Sequence, residues 1–189
     1  MKSMKLKFTG VAPLVMHNTQ LSDPRYVRAS GIKTITSKRQ KTEADELELM
    51  RLEFIAGLYW NEAPYLPGLN VDAALSIAAG QLQKGGRKIA QSSIQTDDAE
   101  LIYGGKHKTP DDLFEDAKHL LYVPAVIPST KSRVMRARPI FPTWSAVVTV
   151  NYHSVSPDEI AAWATRAGDY IGLCDWRPRH GRFTVEVVK

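Results

Sequence analysis

The sequence predicts an α+β fold: a βαββαβ core with a long basic, partly helical insertion after its first strand. Three observations lead there. Segments of alternating polarity stand near both ends of the chain, at 5–15 and 182–188. Two stretches between them, after Pro67-Gly68 and after Ser156, repeat apolar residues at helical spacing. The stretch from His17 to Lys41 is polar, basic and without hydrophobic periodicity, and a loop of that length inside a compact domain is either functional or disordered.

The elements follow in order. "KLKFTGVAPLV" (5–15) alternates Leu6, Phe8 and Gly10 with polar residues, then turns apolar, as a strand buried on at least one face does. A helix opens at "TEAD", where Thr42 and Asp45 form a capping-box pattern. Leu47, Met50, Phe54 and Ile55 give it one apolar face, and Gly57 ends it. "LYW" is then a short extended piece. In "YLPGLNVDAALSIAAGQLQKGG", Pro67-Gly68 turns the chain and Asn70 caps a helix. Its stripe is Val71, Ala74, Leu75, Ala78 and Leu82, and it stops at Gly85-Gly86. Residues 100–103 and 120–127 are candidate strands around an acidic loop. "RVMRARPIFPTWSAVVTVNYHS" is a bent pair of extended segments with its β-branched centre at Val147–Val150. The last helix has Ser156 at the N-cap, Pro157 at the first position and Glu159 at the third. Ile160, Trp163, Ala164, Ala167 and Ile171 form its stripe, and "RFTVEVV" closes the chain as a strand. Without the insertion the order is that of a ferredoxin-like core, which by itself fixes no function.

With 189 residues, 43% of them hydrophobic, the expectation is a single domain over 1–189 with an insertion at about 17–62. No apolar run reaches the roughly 18–20 residues that span a bilayer, and the N-terminus reads as a strand rather than a signal peptide. Cys174 is the single cysteine, which excludes an internal disulfide and points to a reducing, cytoplasmic compartment. The net charge of +5 is unevenly spread. Arg25, Arg28, Lys33, Lys38, Arg39 and Lys41 stand together without an acid, and so do Lys131, Arg133, Arg136 and Arg138, while acids collect in 43–53 and 97–116. Segregation of this kind is the electrostatic footprint of a nucleic-acid binder.

Three places carry the expected chemistry. The first is "YIGLCDWRPRHGRF" (170–183), where Gly172 and Gly181 bracket Trp176, Arg177, Arg179 and His180, with Arg182 beyond. Amides near glycines can approach phosphates, arginines bind them bidentately, and an indole can stack on a base. The bland alternative packs Trp176 under the loop and pairs the arginines with Asp169 and Asp175. The second is "RVMRARP", whose alternation puts Arg136 and Arg138 on one strand face, with Arg133 out of register. The third is the basic segment Arg25–Lys41, which taken alone reads first as a disordered, solvated loop and only then as a contact.

Catalytic signals are weak. The five histidines (His17, His107, His119, His153, His180) are scattered without metal spacing, so no metal and no cofactor is expected. Asp23 with His17 is the one candidate acid–base pair, and arginines near Cys174 could depress its pKa.

Taken together, the first strand, the basic insertion, "YLPGLNVDAAL" and "GLCDWRPRHGRFTV" resemble the RAMP superfamily, the RRM-like proteins that include the repeat-binding backbone subunits of CRISPR effector complexes. There a phrase like Pro67-Gly68-Leu69-Asn70 opens the first helix, a glycine-rich loop matching Gly172–Arg182 contacts the RNA backbone, and a thumb-like insertion follows the first strand. The chain also resembles short phage and prophage proteins with "GLYW" and "DWRPRHGRF"-type phrases. The resemblance implies an RRM-like, non-enzymatic protein that binds single-stranded RNA, or DNA, as a homo-oligomer or as a subunit of a nucleoprotein complex, without a membrane. Two alternatives stay open: a phage-encoded interaction protein taking a backbone subunit's place in a host complex, and a metal-dependent ribonuclease using Asp23.

Overall fold

The computed structural model describes residues 1–23, 25–126 and 131–188. Pro24, at the head of the basic segment, and Ile127, the end of one expected strand, lie outside the described residues. The strands are β1 (Lys2–Gly10), β2 (Leu14–Val15), β3 (Trp60–Asn61), β4 (Ala63–Leu66), β5 (Ile94–Thr96), β6 (Ala99–Glu100), β7 (Leu120–Val126), β8 (Arg133–Phe141), β9 (Ser145–Tyr152) and β10 (Phe183–Val188). The helices are α1 (Ile32–Thr36), α2 (Glu43–Gly57), α3 (Gly68–Leu82), α4 (Gly86–Ser93), α5 (Pro110–Glu115) and α6 (Pro157–Tyr170). The fold is α+β with antiparallel sheets. No helix among the described residues is long and apolar enough to cross a membrane. The chain divides into two compact units: Met1–Val15, Ala63–Lys106 and Phe141–Lys189 make the first, and Met16–Glu62 with His107–Ile140 the second.

The first unit is built on a four-stranded sheet in the order β10-β1-β9-β5, every pair antiparallel. Alternation sorts its residues. Leu6, Phe8, Ala146, Val148, Val150 and Phe183 are buried on one face, whereas Lys5, Lys7, Thr9 and Val147 are exposed on the other. Phe8 and Phe183 meet with ring centroids 4.3 Å apart. Helix α3 packs against β5 and α6, and α6 packs against β10. Helix α6 begins where the sequence places it: Ser156 Oγ accepts from the Glu159 N–H, and the Glu159 carboxylate accepts from the Ser156 N–H at 2.8 Å. Its stripe of Ile160, Trp163, Ala164 and Ala167 is buried, each large side chain contributing about 1.5–3 kcal/mol.

Several details differ from expectation. Strand β1 stops at Gly10 and extended backbone resumes as β2; the Trp144 indole fills the space a Cβ on Gly10 would need, 2.3 Å from it, and its Nε1–H donates to Ala12 O. Asn70 does not cap α3. Pro67 holds the cap position, and the first amide, Gly68 N–H, donates to Asp98 Oδ1 at 2.8 Å. Leu82 is exposed in the last turn. After Gly85 the chain re-enters a helix, α4, and then supplies β5, an edge strand of the sheet. The expected strand at 100–103 reduces to β6 and a bridge between Ile102 and Ser145.

In the second unit, α2 carries the expected capping box between Thr42 and Asp45. Its buried residues are Glu53, Phe54, Ala56 and Gly57, while Leu47 in the second turn is exposed, so the apolar face is shorter than its spacing implied. Strands β7 and β8 pair antiparallel from Leu120↔Pro139 to Val126↔Arg133. Helix α5 has its own capping box, Thr109 with Asp112, and Pro110 in its first turn. The segment His107–Ile140 thus shares a unit with Met16–Glu62, although only the latter stretch reads as an insertion in the sequence.

Candidate functional site

The loop between α6 and β10 is closed by backbone hydrogen bonds. Leu173 N–H donates to Gly181 O (2.9 Å), Gly181 N–H to Pro13 O (2.8 Å), and Asp175 N–H to Val15 O (2.9 Å). Gly172 N–H returns to Ala167 O at the end of α6 (2.8 Å). Both glycines have positive φ, 77° and 72°. A Cβ on Gly181 would lie 2.1 Å from Leu173 O, and one on Gly172 would lie 2.6 Å from His180 O. The glycines therefore let two backbone stretches touch. Their amides are consumed within the fold, which corrects the expectation that they point at phosphates.

The side chains of this loop divide into two groups. Arg177, Arg179 and Arg182 are exposed, and among the described residues they engage no carboxylate. Asp169 shares a cleft with Arg179 and Arg182, with no ion pair to them within 4.0 Å among the described residues. Trp176 and His180 are half-buried with ring centroids 6.1 Å apart, so the indole packs into the loop instead of standing free. The His180 Nδ1 is enclosed without a hydrogen-bond partner among the described residues. A shallow cleft of about 400 Å3 is lined by Asp169, Tyr170, Pro178, Arg179 and Arg182. Tyr170 is exposed there, with the Arg166 guanidinium 4.0 Å from its ring centroid, in cation–π range. Neither Tyr170 nor Arg166 was singled out from the sequence. Their i, i+4 spacing on the last turns of a predicted helix was the available signal. Lys5 and Lys7, on the exposed face of β1, were missed as well, and Lys7 faces Glu186 across the sheet at 3.9 Å.

The cations of the second unit are more occupied than their sequence neighbourhood implies. Arg136 donates to Glu53 Oε1 at 2.6 Å, and the other carboxylate oxygen accepts from Ala137 N–H at 3.1 Å. The missing nearby acid is supplied by α2. Arg138 is half-buried and donates to Ala137 O. Arg25 makes two hydrogen bonds to Asp23, at 3.1 and 3.2 Å. Arg28 donates to Trp60 O at 3.0 Å, and Lys38 donates to Asp45 at 2.5 Å. Lys33, Arg39, Lys41 and Arg133 remain exposed and engage no carboxylate among the described residues. Exposed pairs such as Arg25–Asp23 contribute little to stability and can be exchanged for a phosphate.

Asp23 and Cys174 stand in opposite electrostatic surroundings. The Arg25 guanidinium, then its backbone N–H, hold the Asp23 carboxyl below the usual carboxylate range. No hydrogen bond joins Asp23 to His17 among the described residues. Burial pushes the Cys174 thiol up to about 12, opposite to the expected depression, although Asn70 Nδ2 donates to its sulfur at 3.6 Å.

One constellation was invisible in the sequence. Within the second unit, His107 Nε2 and His119 Nε2 lie 3.5 and 4.0 Å from Asp116 Oδ2, and all three ligand atoms fall within 4.8 Å of one another. The expectation that no histidines share a metal geometry holds for linear spacing alone; α5 folds between them and closes the distance. No family model matches the chain, and no curated protein matches it.

Proposed function

We propose that the protein is a non-enzymatic binder of single-stranded nucleic acid, and that the loop at the end of α6 is its contact surface. The observation that carries this reading is the trio Arg177, Arg179 and Arg182, exposed and, among the described residues, in no ion pair, on a loop whose backbone is already closed. Cations that no internal acid neutralises are the ones that gain from a phosphate. Tyr170 offers an exposed ring beside Arg179 and Arg182 for a base, and such stacking is worth about 1–3 kcal/mol.

We assign the core of the first unit to the ferredoxin-like, RRM-like class. Support comes from its strand order: β9 lies between β1 and β5, and β1 lies between β9 and β10. Each βαβ half therefore straddles a strand of the other, which is the split arrangement of that fold. The exposed sheet face carries Lys5, Lys7, Val147 and Thr149 in place of the aromatic residues on which RRM sheets stack bases. Contact is accordingly assigned to the loop and not to the sheet. The preference for RNA over DNA, and assembly in several copies along a strand, rest on the RAMP resemblance.

The test is fluorescence anisotropy of labelled oligo-U RNA and oligo-dT DNA over a salt series. Losing three phosphate contacts changes the log–log salt slope by about 2, since each contributes about 0.7 on a single strand. The variant Arg177→Ala/Arg179→Ala/Arg182→Ala should show that change, and the wild-type protein should bind RNA more tightly. An unchanged slope in the variant, or a wild-type affinity indifferent to salt, sinks the proposal.

A further inference from the structure

We propose that His107, Asp116 and His119 form a binding site for one divalent transition-metal ion of the zinc type. The three side chains converge from both ends of α5: His107 precedes the helix, Asp116 is its C-terminal cap, and His119 ends the following turn. A tetrahedral zinc ion holds N and O ligands at about 2.0–2.2 Å, which sets ligand atoms roughly 3.3–3.5 Å apart. The 3.5 Å between His107 Nε2 and Asp116 Oδ2 already matches, and 4.0 Å for His119 needs only a small inward shift. The two imidazoles meet edge to face, at 81° with centroids 5.4 Å apart, and each offers a nitrogen within 4.8 Å of the other ligand atoms.

A second observation points the same way. His119 Nδ1 lies 2.9 Å from Ile140 O, an atom that can only accept. The Nδ1–H therefore donates to it, which leaves Nε2 on the side of Asp116, 4.0 Å from its Oδ2. The His119 side chain is 8% exposed. A backbone carbonyl that fixes the tautomer is also the usual outer partner of a metal-ligating histidine. Two imidazoles with one carboxylate suit zinc and its neighbours and disfavour magnesium and calcium.

Asp116 has other partners that the ion must share or displace. Its Oδ1 accepts from the Lys118 N–H at 3.2 Å, and Lys118 Nζ lies 3.7 Å from Oδ2. Lys118 is the competing cation, and at 78% exposure its ammonium can swing into solvent. Three protein ligands leave a fourth position for water.

The experiment uses the full chain without a polyhistidine tag, stripped with EDTA and titrated calorimetrically with ZnCl2. Co2+ titration, followed by visible absorption, serves as a second probe. The wild-type protein should bind one Zn2+ per chain at about micromolar Kd or tighter, and Co2+ should give the absorption of a low-coordinate site. His107→Gln and Asp116→Asn, both at partly exposed positions, should each weaken binding by about a hundredfold. His153→Gln, outside the cluster, should change nothing. Saturating Zn2+ should raise the melting temperature of the wild-type protein but not that of His107→Gln. Absence of a saturable one-to-one site in the wild-type protein overturns the proposal, whatever the variants do. So does a site of equal affinity in His107→Gln and Asp116→Asn.

Discussion

Arg136 and Glu53 stand 83 positions apart in sequence, yet their 2.6 Å hydrogen bond decides what Arg136 is for. Read along the chain, Arg136 belongs to a basic stretch without acids; read in space, it neutralises a carboxylate that also ties down Ala137 N–H. Arg136→Ala leaves Glu53 buried with one partner, and should cost about 2–3 kcal/mol in urea unfolding while leaving RNA affinity unchanged. Cys174 invites a different measurement. With its thiol pushed up to about 12, native protein at pH 8 should resist iodoacetamide and react only when unfolded; prompt native alkylation contradicts the burial. For Asp45 the sign is fixed by its partners. Hydrogen bonds from Lys38, then from the Thr42 N–H, hold its pKa at about 2, below the ordinary 3.8. A depressed carboxyl stabilises the fold above the unfolded value and loses that contribution as pH falls through the folded one. The melting temperatures of the wild-type protein and Asp45→Asn should therefore differ at pH 7 and converge between pH 4 and 2.

Elements bounded by local chemistry were legible in the sequence. The capping boxes at Thr42 and Ser156 fix the starts of α2 and α6, because a cap acts on amides two or three residues away. Ser156→Ala should cost about 1 kcal/mol, read as a lower midpoint in thermal unfolding. Elements whose identity depends on a distant partner were not legible. Strand β5 has three residues, too few to display a period, and is a strand only because Thr96 and Ile94 find Val150 and Tyr152. Leu82 fits the stripe of α3 by spacing and is exposed because nothing covers the final turn. Close packing sets its own test in α6. A Cβ on Gly168 would stand 2.1 Å from Phe183 O, so Gly168→Ala should push helix and strand apart and cost about 1–3 kcal/mol. A neutral outcome in denaturant titration would mean that α6 does not lie that close to β10.

At the scale of the molecule, each unit is assembled from segments far apart in sequence. A fragment comprising residues 63–189 keeps α3, α6, β9 and β10 but lacks β1, the strand between β10 and β9. It should give poorly dispersed NMR spectra, and a well-dispersed spectrum would show that the sheet tolerates losing its centre. The candidate site was legible to a matching degree. Arginines flanked by glycines marked the loop as a candidate in the sequence, but Tyr170 beside Arg179 and Arg182, and His107 beside Asp116 and His119, are brought together only by tertiary folding. The closed ring from Leu173 to Gly181 has one last consequence. A loop already frozen in the free protein surrenders little motional freedom when a ligand arrives, so its arginines act as a preset template. A synthetic peptide with the sequence 170–183 carries the same charges without that rigidity, and should grip RNA far more weakly than the folded chain at equal ionic strength.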